Sequence, residues 1–138
     1  MKTLTFRQPW AWLIFHGKPV ENRDWPWYYR GPLAIHAAAT MMGAEWEAAR
    51  LFVAGFDPEL ANKIPRPAEL VTGAVIGIVD QVACVTAHPS PFFVGPYGHV
   101  YANPRELAAP MRAQGKQGPW NWTPPMDIEA LLRPRAAP

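Results

Sequence analysis

Proline is the residue that most restricts how this chain can fold, because seventeen prolines occur among its 138 residues. Each proline lacks a backbone N–H and holds φ near about −65°, so it interrupts a helix interior and the centre of a sheet. The prolines are spread along the chain rather than clustered, which predicts rigid turns and not a disordered segment. We therefore expect short elements joined at proline and glycine.

Hydrophobic patterns between these joints predict strands interrupted by helices. The alternating segment 2–6 is typical of a strand, and the apolar segment from Pro9 to Gly17 is typical of a buried helix. The remaining predicted elements are an extended segment at Val20–Trp25, a strand in "LAIHA", a helix at Gly43–Gly55, a short helix within "FDPELANKIPRPAEL", a long strand at Gly73–Thr86, a strand near Gly98–Ala102 and a short strand in "KQGPWNWTP". This order predicts an α+β fold, a small β-barrel decorated by helices, in residues 1–124, with 125–138 as a peripheral C-terminal tail.

Cysteine and histidine usage argues against several classes of site. Cys84 is the one cysteine, so no internal disulfide is possible, and we expect a reducing compartment, the cytoplasm. Cys84 is predicted to be a core residue of the long strand and not a nucleophile. The four histidines lack ligand spacing, and the phosphate-loop and "GxSxG" motifs are absent, so we expect neither metal nor cofactor. No apolar run approaches the roughly 20 residues that span a membrane, and we expect no membrane partner.

Charge is distributed unevenly along the chain. The formal net charge is only +2, but residues 1–36 and 81–138 are basic, whereas 37–80 are acidic. Six of the seven tryptophans, all except Trp46, lie in the two basic ends. If those ends meet in space, cations and aromatic rings would share one face, a combination that suits the phosphates and bases of a nucleic acid. The alternative is that the tryptophans fill the core and the charges are solvated.

The stretch "GKPVENRDWPWYYRGPLAIH" combines charges and aromatic rings within twenty residues. Strand geometry directs Glu21 and Arg23 to one face of the extended segment. Lys18 precedes them just beyond a predicted helix end, so the three side chains either line one cleft or form a surface ion pair with the lysine in solvent.

The same residues resemble a known family. The segment "LTFRQPWAWLIFHGKPVENRDWPWYYRGPLAIHAA" is similar to the N-terminal signature of the activating signal cointegrator homology (ASCH) domain, and "GPYGHVYANPREL" and "GKQGPW" are similar to its C-terminal strands. The resemblance covers Leu4 to about Trp122 and implies a PUA-like β-barrel with a cleft beside the first helix. It implies a role in RNA metabolism by kinship with RNA-binding PUA domains. The motif positions matched, and hence the implied ligand-binding residues, are Gln8, Trp10, Lys18, Glu21, Arg23, Arg30, His36 and Tyr97.

Three functions remain open at this point. The first is an RNA-binding or nucleotide-binding module with a basic, aromatic-lined cleft around the "ENR" segment. The second is a metal-independent hydrolase, either an N-acylated cytidine amidohydrolase or a ribonuclease, with Lys18 and Glu21 as its catalytic residues. Small relatives of the fold hydrolyse N-acylated cytidines with a lysine, a threonine three residues later and a distant glutamate. This chain has Glu21 at the threonine position. The third is a protein-interaction domain.

Overall fold

A six-stranded mixed β-sheet organises residues 1–134, the part of the chain that the computed structural model describes. The strands are β1 (Lys2–Phe6), β2 (Val20–Arg23), β3 (Gly31–Ala37), β4 (Ala74–Val85), β5 (Tyr97–Arg112) and β6 (Trp120–Asn121). They lie side by side in the order β2-β5-β4-β3-β1-β6. Strands β1 and β3 run parallel, and the other neighbouring pairs are antiparallel. Strand β2, which carries the "ENR" segment, is therefore an edge strand.

The α+β class predicted from the sequence is confirmed. The helices are α1 (Trp10–Ile14), α2 (Gly43–Ala54), α3 (Pro58–Lys63) and α4 (Ile128–Leu131), with a 3-10 turn at Pro67–Glu69. The edge strands β2 and β6 do not pair with each other, so the sheet is open among residues 1–134. In the same range, no helix is long and apolar enough to cross a membrane.

Strand β5 is 16 residues long and extends well beyond the strand predicted near Gly98–Ala102. Pro104 and Pro110 explain the short prediction, because proline is disfavoured at the centre of a sheet. Both prolines lie where the pairing of β4 with β5 shifts register, so their missing N–H groups are not needed there.

The register shifts also affect β4. The prediction that Cys84 is a core residue is wrong, because its side chain is only half-buried.

Three hydrophobic clusters form the core. The first packs α1 against the centre of the sheet, and its buried members are Leu4, Phe6, Ala11, Ile14, Leu33, Ile35, Ala37, Val79 and Tyr101. The second packs α4 and β6 against the sheet through Ala34, Val75, Ile78, Leu107, Trp120, Trp122 and Leu131. The third joins α1 to α2 and α3 through Leu13, Val20, Val53, Ala61, Ile64 and Phe92. The acidic middle of the chain thus packs beside α1 and the start of β2.

The two basic ends of the sequence meet in the structure. Strand β6 pairs with β1, and the N-terminal ammonium of Met1 donates to the carbonyl of Trp122 at 2.7 Å. Of the predicted tail at 125–138, the structure describes residues 125–134, where α4 buries Leu131 beside Leu107. The rest of that predicted tail, residues 135–138, lies outside the described residues.

Candidate functional site

A buried ion-pair cluster lies where the chain leaves α1 and enters β2. Gly17 has a φ of +116°, a conformation that glycine adopts without strain, and the next N–H, that of Lys18, donates to Leu13 O at 3.0 Å. This turn directs the Lys18 side chain inward, where only 2 % of it is exposed and Nζ donates to Glu21 Oε1 at 2.5 Å. Arg23 Nη2 lies 3.4 Å from the other carboxylate oxygen, Glu21 Oε2. The alternative with Lys18 in solvent is therefore wrong.

The alternation of side chains along β2 gives the neighbouring residue Asn22 a separate role. Asn22 Nδ2 donates to Phe92 O at 2.9 Å, and Asn22 Oδ1 accepts from the N–H groups of Val94 at 2.8 Å and Gly95 at 3.1 Å. All three partners belong to the loop that precedes β5. Asn22 thus anchors this loop beside the ion-pair cluster.

Two cavities adjoin the cluster. The first, which we call the aromatic pocket, has a volume of about 530 Å³ and is lined by Trp10, Lys18, Glu21, Asn22, Glu45, Ala48, Ala49, Phe52, Phe92 and Val94. The second, which we call the basic groove, has a volume of about 380 Å³ and is lined by Thr5, Phe6, Arg7, Trp10, Glu21, Arg23, Ala38, Lys116, Gln117 and Gly118. Trp10 and Glu21 line both, so the two cavities meet at these side chains.

The cations of the basic groove come from both basic ends of the sequence. Arg7 and Arg23 belong to the N-terminal part, and Lys116 belongs to the loop between β5 and β6. Arg7 forms an ion pair with Glu45 of α2, and Arg23 also donates from Nη2 to Thr5 O at 3.1 Å. Cations from both chain ends therefore line this groove together with Glu21.

A layer of buried polar groups supports the cluster from the sheet. His99 lies opposite Glu21 in the pairing of β2 with β5, and its Nε2 is 3.1 Å from Trp25 O. Burial lowers the pKa of His99, while its bond to the Trp25 carbonyl acts in the opposite direction. Burial raises the pKa of Tyr101 well above its usual value, and the charge of Glu21 adds to this effect. Both rings are therefore neutral near pH 7, and the charge of the cluster resides on Lys18, Glu21 and Arg23.

Several atoms of this layer have no hydrogen-bond partner among the described residues. They are Arg23 Nε, Gln81 Oε1, His99 Nδ1 and Tyr101 Oη. Because an unpaired buried polar atom costs about 1 to 3 kcal/mol, such atoms are uncommon in a purely structural core. Arg23 belongs to the ion-pair cluster, and His99 and Tyr101 lie close enough to it for its charges to affect their pKa values.

The aromatic rings of the segment 25–29 pack mainly on the protein itself. Trp25 meets the His99 ring edge-on at 4.9 Å, and Trp27 stacks on Tyr29 at 5.0 Å. Tyr28 is 67 % exposed. The aromatic rings that line the pocket are instead Trp10, Phe52 and Phe92, two of them from outside the family-like motif.

Of the eight ligand-binding residues implied by the resemblance, the structure brings four together. Trp10, Lys18, Glu21 and Arg23 line the pocket, the groove or both. The other four line neither cavity. Gln8 is buried and forms hydrogen bonds with Val71 O and the Trp12 N–H, and His36 is buried under the loop between β5 and β6. Arg30 is exposed and donates a hydrogen bond to Tyr28 O. Tyr97 is half-buried and lies opposite Arg23 in the pairing of β2 with β5.

Sequence reasoning did not single out several lining residues, because they come from distant parts of the chain. Glu45 and Phe52 project from α2, which the pattern identified only as a helix. Lys116 follows β5 and meets the groove through the pairing of β6 with β1. No local spacing signals such contacts, since they depend on the sheet order.

A scan against protein-family models finds no match, and a search of the curated proteins finds none either. Within residues 1–134, no group of three or more histidine, cysteine, aspartate or glutamate side chains is arranged to hold a metal ion. The two cavities are therefore the features of this chain from which a function can be inferred.

Proposed function

We propose that this protein is an RNA-binding or nucleotide-binding module of the ASCH type. The observation that carries the proposal is the junction of the aromatic pocket with the basic groove at Trp10 and Glu21. A nucleotide has the same two parts, a flat base and an anionic phosphate joined through a sugar. The clustering of Trp10, Lys18, Glu21 and Arg23, all within the family-like motif, supports the same assignment.

The aromatic pocket is suited to a base. Its volume of about 530 Å³ lies within the range of roughly 300 to 1,000 Å³ that small-molecule sites have. Trp10 and Phe52 meet edge-on at 6.0 Å and leave aromatic surface on the pocket wall, where stacking contributes about 1 to 3 kcal/mol per base. Lys18 and Glu21 supply a donor and an acceptor for the polar edge of the base.

The basic groove is suited to phosphate. Arg7, Arg23 and Lys116 are cations from both ends of the chain, and Glu21 is the acidic residue that lines the groove with them. Phosphate contacts of this kind depend on counterion release, which makes affinity fall as salt rises. With three cations, the slope of log affinity against log salt for a single strand should be no steeper than about −2.

Fluorescence anisotropy of a labelled mixed-sequence single-stranded RNA tests the proposal. We expect affinity to fall between about 50 and 200 mM salt, and Trp10→Leu to weaken binding about tenfold through lost stacking. Trp12→Leu is the matched control, because Trp12 stacks on His16 at 3.8 Å and lines neither cavity. Undetectable or salt-independent binding of both RNA and mononucleotides would refute the proposal.

A second candidate function is metal-independent hydrolysis of an acylated nucleoside or of RNA. Lys18 Nζ and Glu21 Oε1, 2.5 Å apart and both facing the aromatic pocket, favour it. A general base must accept a proton from water, however, and each oxygen of Glu21 already faces a cation, Lys18 or Arg23. The geometry therefore supports binding better than hydrolysis.

Incubation with acylated cytidines and RNA in the presence of a chelator separates the two functions. The hydrolase requires product formation that Lys18→Ala abolishes while the variant remains folded. The binding module predicts intact substrates with the native protein and with the variant.

A further inference from the structure

His36, which the resemblance implies as a ligand-binding residue, lies at the centre of a hydrogen-bond network beneath the loop between β5 and β6. Its Nε2 is 2.6 Å from Ala113 O, and its Nδ1 is 3.1 Å from Thr5 Oγ1. The indole Nε1 of Trp120 donates to the same Thr5 hydroxyl at 3.2 Å. The network therefore joins β3 and β1 to both ends of the loop.

One arrangement of protons satisfies every member of this network. The Trp120 indole donates to Thr5 Oγ1, and the Thr5 hydroxyl in turn donates to His36 Nδ1. The ring proton of His36 then resides on Nε2 and points at the Ala113 carbonyl. The imidazole is neutral in this arrangement, in agreement with its complete burial.

The middle of the loop rests directly on the histidine ring. A Cβ atom on Gly115 would lie 2.7 Å from His36 Cε1 and 2.9 Å from Thr5 Oγ1, closer than real Cβ atoms approach. Only glycine therefore permits the loop to lie this close to the ring. Lys116 follows immediately and lines the basic groove.

Lys116 differs from the other two cations of the groove. Arg7 pairs with Glu45, and Arg23 pairs with Glu21. Lys116 has no ion-pair partner within residues 1–134, so it can meet a phosphate without first releasing a carboxylate.

We propose that His36 is a positioning residue, which holds the loop through Ala113 and Gly115 so that Lys116 projects into the basic groove and contacts a ligand phosphate. The proposal rests on the proposed function, since it assigns one part of the nucleotide to Lys116. His36 itself does not touch the ligand. His36 therefore contributes to affinity only when Lys116 is present.

A double-mutant cycle on RNA affinity tests this dependence. We expect Lys116→Ala to weaken binding about 3- to 10-fold and to reduce the salt slope by about 0.7, as the loss of one phosphate contact does. His36→Leu should weaken binding similarly in the native background, but by less than about twofold in the Lys116→Ala background. Lys63→Ala, on α3 and outside the groove, is the matched control and should leave affinity unchanged.

Two further variants keep the test independent of the folding of His36→Leu. His36→Gln retains a donor near the position of Nε2 and should restore most of the affinity. Gly115→Ala displaces the loop without altering the histidine, and its effect should likewise disappear in the Lys116→Ala background.

The outcomes distinguish the inference from the proposed function. If RNA binds but Lys116→Ala has no effect, or if the losses from His36 and Lys116 add, the positioning role is refuted and the binding module stands. If the native protein binds neither RNA nor mononucleotides, both are refuted. If His36→Leu weakens RNA binding only when Lys116 is present, the result supports both the positioning role and the binding module.

Discussion

Replacing Lys18 with methionine removes the ammonium group and keeps most of the apolar stem. The variant leaves Glu21 with 13 % of its side chain exposed and with Arg23, 3.4 Å away, as its remaining cation. Removing one partner of a buried pair costs about 3 to 5 kcal/mol when the other charge is left alone. Because Arg23 still compensates Glu21 in part, we expect the free energy of unfolding to fall by about 2 to 3 kcal/mol.

The double variant Lys18→Met with Glu21→Gln tests the reasoning behind this magnitude. It removes both charges, so no uncompensated carboxylate remains in the pocket. We expect its loss of stability to be smaller than the sum of the two single losses by at least about 1 kcal/mol.

Urea unfolding monitored by tryptophan fluorescence gives these free energies by linear extrapolation. Lys116→Met is the control, since Lys116 is exposed and its replacement should change stability by no more than about 0.5 kcal/mol. Losses that simply add, or a Lys18→Met variant as stable as this control, would refute the claim that the pair is buried and coupled.

Burial lowers the pKa of His36 and His99, so each folded pKa lies below the usual value near 6.5. The free energy of unfolding should therefore be highest above that pH and fall on acidification, with a weaker pH dependence in His36→Gln. Urea unfolding that is unchanged between about pH 7.5 and pH 5 would contradict this. Asn22→Ala should free the loop that carries Phe92, and the loss of RNA-binding free energy should exceed the loss in free energy of unfolding. Equal anisotropy curves for the native protein and the variant would argue against a role of this loop in binding. Gly77→Ala should cost about 1 to 3 kcal/mol, because the new Cβ would lie 2.3 Å from a phenylalanine ring and 2.8 Å from a backbone carbonyl; a thermal midpoint equal to the native one would refute it.

Local patterns were sufficient to predict most of the elements. The alternation at 2–6 and the β-rich run at 73–86 depend on neighbouring residues only, and both strands occur close to the predicted bounds. The length of β5 could not be predicted, because Pro104 and Pro110 are tolerated only where the register of β4 shifts. A register shift is a property of two paired strands and leaves no mark in either sequence alone.

The candidate site was predicted in part. Spacing placed Glu21 and Arg23 on one face, and their 3.4 Å contact confirms that prediction. Spacing could not decide whether Lys18 is buried, because its direction depends on the turn at Gly17. The pocket walls on α2 and the cation at Lys116 are tertiary contacts, and sequence reasoning had no means to find them.

Side-chain NMR of the seven tryptophan indoles during titration with a mononucleotide tests the central claim most directly. Trp10→Phe assigns the signal of interest, and Trp46, whose Nε1 donates to Pro65 O at 2.9 Å and which lines neither cavity, is the internal reference. The account predicts a salt-sensitive shift of the Trp10 signal while the Trp46 signal stays in place. A Trp10 signal that does not move at saturating nucleotide, or that moves only together with Trp46, would contradict binding where the aromatic pocket meets the basic groove.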